Sequence, residues 1–402
     1  MVARMPQDPI VRDIVTMIRQ QQFNRRQLLR GAAIAGAGAG TLGLAACAPG
    51  GGGGGGGEAG SIVWGNWPYY LDTDDSGNFP SLEQFIADTG IDVEYIEDID
   101  DNNTFFGRIK DQLELEQFTG YDVITFTDWM NARLIGAGQV QEFDYANLPT
   151  VTANLVESQW DALDVDPGRK FTIPWQLPAS GWVWNTAEVP NGIRTLDDFL
   201  RPELRGRVVV LSEMRDTMGM ILAGLGYDPA GDWGDAQFDE ALAWLDDGLQ
   251  SGQIGNVKGN SYTDDLIRGD AVAAMAWTGD VIMMNTENGD QWTMEVPESG
   301  GMIAADSFTV PNGTDPENKA LVERMIDYYY DPVIAAQVAD YVTFVTPVEG
   351  AQQAMEDINP ENAENPLIFP DEEMWSRLHA FRSLTPEEEQ RYSTEFQNVL
   401  GL

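Results

Sequence analysis

The stretch that most constrains the fold of this chain is 208–227, which reads VVVLSEMRDTMGMILAGLGY. It opens with four apolar residues, the length and β-branched content typical of a strand buried on both faces. Ser212 stands where a cap could start a helix, and Gly226 stands where a left-handed residue could end it. A strand that runs directly into a helix is half of a βαβ unit, so the sequence predicts an α/β fold.

Two carboxylates, Glu213 and Asp216, follow this strand. Ligands of open α/β sheets bind outside the carboxyl ends of the strands, which makes both residues candidates for a binding site. Acidic residues at a helix start also have a purely structural explanation, because they complement the positive end of the helix dipole. These two residues alone do not decide between a binding site and a purely structural role.

Residues 1–46 are predicted to be an export signal. Paired arginines at 25–26 precede a weakly apolar run at 31–43, a pattern typical of a twin-arginine signal peptide. The alternative is an ordinary basic residue pair in a general secretory leader. The run is too short and too rich in glycine for a membrane-spanning helix.

Cys47 follows Leu-Ala-Ala, the pattern of a lipobox. It is the only cysteine in the chain, so it cannot form an internal disulfide. We expect it to become the lipidated first residue of the mature protein, with the glycine-rich segment 47–60 as a flexible tether. This predicts a protein anchored to the outer face of the cell membrane, in the periplasmic space.

Composition argues against several classes of function. The formal net charge of -42 repels nucleic acid and attracts cations, although adaptation to a saline habitat could also account for it. His379 is the only histidine, which excludes a zinc site built on several histidines, and no P-loop or GxSxG motif occurs. A glycosidase that uses paired carboxylates stays a remote alternative. We predict neither a cofactor nor a metal, apart from a weak calcium-loop spacing over 72–83.

The mature chain is expected to form two lobes, because about 355 residues exceed what one hydrophobic core usually supports. The segment 171–184, with prolines spaced by aromatic residues, is interpreted as the crossing into the second lobe, and 300–311 as the return. The predicted division is 61–175 with 301–345 for the first lobe, and 176–300 with 346–402 for the second.

Aromatic rings and acids recur at the predicted strand ends. Rings attract cations through cation–π contacts and carboxylates bind ammonium groups, so a long, thin organic dication would suit both. Core packing remains an equal alternative for each ring taken singly. The residues concerned are Trp67, Tyr70, Asp128, Trp129, Glu213, Asp216, Trp277, Asp280 and Asp306.

A known family shares these motifs in the same order. The segments GNWPYY, YDVITFTDW, IPW, LSEMRD, AMAWTGD, AADSFTVP and TPV resemble the spermidine/putrescine-binding lipoproteins of polyamine ABC transporters. The resemblance spans about 61–377 and implies a type II periplasmic binding protein fold, in which two α/β lobes are joined by hinge strands and close on a ligand in the cleft.

The resemblance also implies roles for residues of the first lobe. Trp67 and Tyr70 match aromatic residues beside the ligand chain, and Thr127 and Trp129 match a hydroxyl and an aromatic ring that line the same cleft. Asp306 matches the acid that binds an ammonium group. These five residues are therefore expected to contact the ligand.

On the second lobe, Glu213 and Asp216 match an acidic pair that takes amine groups, and Trp277 matches an aromatic wall. Two positions depart from the family pattern. Ala304 replaces a common tryptophan, and Phe344 replaces a tyrosine at the ligand site. The aromatic box is thus expected to be thinner, which affects the choice of polyamine more than the class of ligand.

The resemblance therefore predicts a monomeric, extracytoplasmic solute-binding lipoprotein that is not an enzyme. It would bind spermidine or putrescine through ionised carboxylates and deliver it to the permease subunits of an ABC importer. The nearer alternative is the same fold with another small solute, such as an amino acid derivative, a sugar or iron. The farther alternative is the secreted glycoside hydrolase.

Overall fold

The stretch that begins at Val208 forms the predicted strand and helix. The strand covers Val208–Leu211, with all four side chains buried, and the helix covers Met214–Gly224. Gly226 has the expected left-handed backbone, with φ 92°. The predicted cap at Ser212 is wrong: the residue that precedes the helix is Glu213, and no side chain caps it. Ser212 instead follows directly after β6, where its N–H donates to the Lys258 carbonyl at 2.8 Å.

The computed structural model describes residues 60–74, 76–99 and 101–401. The predicted signal peptide and Cys47 lie outside these ranges. The strands are β1 Ser61–Asn66, β2 Asp92–Glu97, β3 Val123–Thr127, β4 Thr172–Gln176, β5 Ala179–Asn185, β6 Val208–Leu211, β7 Ile254–Lys258, β8 Ala273–Trp277, β9 Trp292–Glu295, β10 Gly301–Ile303, β11 Asp306–Thr309 and β12 Leu378–His379.

The helices alternate with these strands over much of the chain. They are α1 Pro80–Thr89, α2 Asn102–Glu114, α3 Asp128–Gly136, α4 Pro149–Asn154, α5 Met214–Gly224, α6 Asp235–Gln250, α7 Tyr262–Arg268, α8 Thr278–Asn288, α9 Pro316–Tyr329, α10 Pro332–Val342, α11 Ala351–Ile358, α12 Pro360–Ala363, α13 Glu372–Trp375 and α14 Pro386–Leu400. Within the ranges that the structure describes, no helix is both long enough and apolar enough to cross a membrane.

The first sheet has the strand order β2-β1-β3-β11-β4. β1 pairs in parallel with β2 and β3, while β11 runs antiparallel between β3 and β4. The start of β11 therefore meets the carboxyl ends of β3 and β4 at one edge of the sheet. Asp306, the first residue of β11, lies opposite Thr127, the last residue of β3.

The second sheet has the order β12-β10-β5-β8-β6-β7, and β9 pairs with the other part of β5. β6 pairs in parallel with β7 and β8, whereas β5 is antiparallel to β8. The carboxyl ends of β6 and β8 consequently lie at one edge, together with the start of β5. Ser180 near the start of β5 is opposite Trp277 at the end of β8.

Each sheet has its own hydrophobic core. Trp64 and Phe308 are fully buried in the core of the first sheet, and Trp182 and Phe238 in that of the second. The chain passes between the two sheets from β4 to β5 and from β10 to β11. A bridge between Leu177 and Val345 lies at the first of these crossings. Two lobes joined by short extended segments result.

Two segments lie in the lobe opposite to the predicted one. β10 was expected in the first lobe, but it pairs with β5 of the second sheet, with Met302 opposite Ser180. The segment 351–368, with helices α11 and α12, was expected in the second lobe, but Ala351, Met355, Ala363 and Ile368 are buried in the first core. These apolar side chains complete that core, so the chain stays in the first lobe well beyond 346. The other lobe boundaries stay a prediction.

Candidate functional site

A cavity of about 900 Å³ lies between the facing edges of the two sheets. Strand ends and the loops that follow them form most of its inner wall, which is where ligands of open α/β sheets bind. All nine residues predicted to bind the ligand line this cavity: Trp67, Tyr70, Thr127, Trp129, Glu213, Asp216, Trp277, Asp306 and Phe344. Residues separated by more than 270 positions in sequence are thereby brought into one site.

Asp306 is held by two hydroxyl groups of the first lobe. The Tyr70 hydroxyl donates to Oδ2 at 2.7 Å, and the Thr127 hydroxyl donates to Oδ1 at 2.5 Å. The Thr127 oxygen in turn accepts from Asn102 Nδ2 at 3.0 Å. Only 3% of Asp306 is exposed. Each carboxylate oxygen can accept more than one hydrogen bond, so Asp306 keeps acceptor capacity for a cation in the cavity.

The aromatic rings of the first lobe form one side of the cavity. The Tyr70 ring lies 5.3 Å from that of Phe344 and 6.4 Å from that of Trp67, measured between centroids. Trp67 is held by a hydrogen bond from its indole N–H to the Thr125 carbonyl at 3.0 Å. Tyr69 adopts the left-handed region with φ 64° and is largely exposed, while the next residue turns inward. Such a backbone costs about 1 to 3 kcal/mol, and here it directs Tyr70 to Asp306.

The second lobe presents its acids from the start of α5. Glu213 precedes the helix and Asp216 lies in its first turn. The Trp277 indole N–H donates to Asp216 Oδ1 at 3.3 Å, and the nearby Ser180 hydroxyl lowers the pKa of this carboxyl group against the effect of burial. The register of β5 and β8 places Ser180 opposite Trp277, so both side chains lie beside Asp216.

The acids of the cavity have raised pKa values. Burial raises the pKa of Asp306 to about 7, against hydrogen bonds from Thr127 and Tyr70 that favour the ionised form. Burial also raises the pKa of Glu213 to about 8, and the nearby charges of Asp101 and Asp216 add to this effect. The pKa of Asp216 is raised by burial as well. Without a cation, burial therefore favours protonated acids in this site near neutral pH.

Several residues of the site were not predicted from the sequence. Asp128 was noted at a strand end, but its partner was not: the fully buried Arg169 binds it at 2.9 Å. Arg215 stacks on Trp129, with 4.4 Å from its guanidinium carbon to the ring centroid, and forms an ion pair with Glu389. Arg215 stands between Glu213 and Asp216 in the sequence, so its place at the cavity could have been predicted from theirs. Helix α14 also lines the cavity, and nothing local in its sequence indicates this.

The calcium-loop spacing over 72–83 has another use in the structure. Asp72 is buried and accepts hydrogen bonds from the Ser81 N–H at 3.0 Å and from Gln337 Nε2 at 2.8 Å. Asp74 accepts from the N–H groups of Ser76 and Asn78. These carboxylates thus stabilise a turn and anchor α1 and α10. In the described part of the chain, no group of three or more metal-binding side chains is placed to hold a metal ion.

Two α/β lobes, short crossing segments and an acidic, ring-lined cavity between them define a solute-binding protein of the two-lobed type. The predicted fold class is confirmed by this architecture and by solved structures of such proteins. The chain belongs to the bacterial extracellular solute-binding protein family, whose model matches residues 81–370.

Curated relatives cover most of the chain. It is 25% identical over 347 residues to the putrescine-binding periplasmic protein PotF of Escherichia coli, which is 80% of this chain and 86% of that protein. It is also 25% identical over 296 residues to the spermidine/putrescine-binding periplasmic protein of the same organism, which is 73% and 80% of the two chains. The resemblance to polyamine-binding proteins noted in the sequence is thus confirmed among its relatives.

Solved structures share the fold at lower identity. The substrate-binding protein PotD of a spermidine/putrescine ABC transporter from Streptococcus pneumoniae aligns with a TM-score of 0.69 and 23% identity, covering 84% of this chain and 98% of that one. The TpPotD lipoprotein of Treponema pallidum aligns with a TM-score of 0.70 and 20% identity, covering 85% and 100%.

Proposed function

We propose that this protein binds a polyamine, spermidine or putrescine, in the cavity between its lobes and delivers it to the permease of an ABC importer. The observation that carries the proposal is the meeting of acids from both lobes in one ring-lined cavity. Asp306 comes from the first lobe, and Glu213 and Asp216 come from the second. The names of the curated relatives agree with this ligand class.

The arrangement suits a flexible dication. One ammonium group binds at Asp306, where the hydroxyl groups of Tyr70 and Thr127 orient the carboxylate. The methylene chain lies against the rings of Trp67 and Trp277, which also attract positive charge. A second amine binds at the acids of α5. Because the acids belong to different lobes, the ligand stabilises the closed arrangement over any open one.

The protein is proposed to act by binding alone and not as an enzyme. The mechanism needs no covalent step, since capture and release follow from the equilibrium between open and closed lobes. Proton exchange accompanies it: an ammonium group that binds at Asp306 favours the ionised carboxylate, so this acid loses its proton on binding. Purified protein should accordingly leave a chromogenic glycoside intact.

We also propose that the mature protein is a monomer held at the outer face of the membrane by a lipid on Cys47. The paired arginines at 25–26, the Leu-Ala-Ala-Cys sequence that ends at Cys47 and the glycine-rich segment 47–60 support this proposal. A Cys47→Ser variant should appear in the soluble fraction, whereas the parent protein should sediment with membranes. Equal partition of both proteins would contradict a lipid anchor at this residue.

The ligand is tested by calorimetric titration of the purified protein with spermidine, with putrescine and with maltose as a control. We expect saturable binding of at least one polyamine and none of maltose. The binding should be weakened strongly in Glu213→Gln and Asp306→Asn variants. Absence of binding for both polyamines would contradict the proposed function.

A further inference from the structure

The cavity continues beyond the acids, between helices α3 and α14. On α3, Trp129 and Arg133 stand four residues apart and Gly136 follows, so all three face the cavity along one side of the helix. On α14, the lining residues recur at helical spacing: Pro386, Glu389, Gln390, Ser393, Thr394 and Gln397. We call this part of the cavity, bounded by these two helix faces, the outer chamber.

The cavity is larger than the volume that a thin diamine would fill. Cavities of about 300 to 1,000 Å³ enclose drug-sized ligands, and this one has about 900 Å³. A ligand bound only at Asp306 and Asp216 would leave the outer chamber to water. A longer ligand can occupy both parts, with its far end between α3 and α14.

The charge of the outer chamber differs from that of the inner acids. Arg215 stacks on Trp129 and pairs with Glu389, which uses only part of its five N–H donors. Arg133 forms no ion pair with any residue that the structure describes, and its guanidinium carbon lies 4.2 Å from the Phe106 ring centroid. Both arginines therefore have N–H donors to offer a ligand.

These cations are notable because the chain is so acidic. Only 13 arginines follow Cys47, and Arg133 and Arg215 both line this cavity. A second ammonium group in the outer chamber would be repelled by Arg133 and Arg215. The two carboxylates of these helices that line the cavity, Asp128 and Glu389, are already paired with Arg169 and Arg215. A carboxylate would instead be attracted by these arginines of the cavity wall, whose planar guanidinium donors match its geometry.

We infer that the outer chamber is a second subsite, which binds a carboxylate at the far end of a ligand whose ammonium end lies at Asp306. The ligand class is thus an aminoalkyl chain that carries an acidic acyl group, in addition to the simple polyamines. This inference rests on the proposed function, because it assumes the ammonium site. The polar face of α14, with Gln390 and Thr394, supplies hydrogen bonds for the amide of such an acyl group.

The test compares three ligands on the mature protein by calorimetric titration. N-succinylputrescine has one ammonium end and one carboxylate end, N-acetylputrescine has the same amine with a neutral acyl group, and spermidine has amines only. We expect N-succinylputrescine to bind about ten-fold more tightly than N-acetylputrescine, since a hydrogen bond to a charged group contributes about this factor or more.

Two variants separate the subsite from general effects of charge. Arg133→Gln should reduce the ratio of the N-acetyl to the N-succinyl dissociation constant toward one. Arg324→Gln removes an exposed arginine from α9, away from the cavity lining, and should leave the ratio at its parent value. An equal fall of the ratio in both variants would assign the preference to overall charge and overturn the inference.

The outcomes also separate the two proposals. If spermidine binds and N-succinylputrescine binds no better than N-acetylputrescine, the second subsite is refuted and the polyamine function stands. If spermidine, putrescine and both acylated amines all fail to bind, the ammonium site itself is refuted and both proposals fail.

Discussion

Acidification should weaken polyamine binding, because it protonates the acid that receives the ammonium group. Burial raises the pKa of Asp306 to about 7, whereas an amine like that of lysine keeps its charge to a pH of about 10. The binding-competent pair therefore exists above about pH 7 and is lost as the pH falls through this value. The dissociation constant should rise over the same range.

The size of the effect follows from the fraction of ionised Asp306. One unit below its pKa, at about pH 6, about a tenth of the carboxyl groups are ionised, so the apparent dissociation constant rises about ten-fold. Glu213, with a pKa of about 8, adds to this loss if the second amine binds there. Asp306→Asn removes the titrating group, and a lost charged hydrogen bond weakens binding about ten-fold to 100-fold at about pH 8.

The measurement is a set of calorimetric titrations with spermidine between about pH 6 and about pH 8, in buffers of different ionisation enthalpy. The buffers report the proton released when Asp306 becomes ionised. Asp247→Asn is the matched control, because it removes the same charge from an exposed site on α6. A dissociation constant that does not change with pH, or equal affinity of Asp306→Asn and the parent protein, would refute the reasoning.

Three other predictions concern stability and the walls of the cavity. Asp306→Asn should raise the melting temperature of the ligand-free protein at about pH 8. The pKa of Asp306 in the folded protein exceeds the usual 3.8, so ionisation of this residue destabilises the fold, fully so above about pH 7. The rise in melting temperature of the variant should therefore vanish toward about pH 4, as measured by scanning calorimetry. Trp277→Ala should weaken spermidine binding by about 0.5 to 2 kcal/mol in titrations, through loss of a cation–π wall. Arg169→Met leaves Asp128 without its buried partner and should lower the free energy of unfolding in urea by about 3 to 5 kcal/mol.

Local sequence was sufficient for the elements that frame the site. The buried strand Val208–Leu211 and the left-handed Gly226 follow from apolar runs and from backbone sterics, which act within a few residues. The convergence of Asp306 with Thr127 could also be anticipated, because both stand at strand ends and such ends meet at a sheet edge. Their role in ligand binding stays a prediction.

The errors arose where tertiary contacts decide the outcome. Ser212 has the right chemistry for a helix cap, but its N–H is bound to the Lys258 carbonyl and Glu213 precedes the helix instead. Met355 looks like any apolar helix residue, and only the packed core shows that it belongs to the first lobe. The pairing of Arg215 with Glu389 joins residues 174 positions apart, a separation at which no spacing rule operates. The outer chamber was therefore out of reach of the sequence.

Charge acts at two distances in this protein. The net charge of -42 attracts any cation toward the surface, and salt screens this attraction over about 10 Å. It cannot distinguish one polyamine from another. Selection requires groups inside the cavity, where burial strengthens each charge interaction and makes an unpaired charge costly. The raised pKa of Asp306 reflects the cost of burying its charge. A proton or an ammonium ligand can each neutralise this charge. The ammonium ligand is favoured over the proton only if the rest of the ligand also fits against the rings of Tyr70 and Trp277. The same burial that destabilises the empty site thus makes the site selective for its ligand.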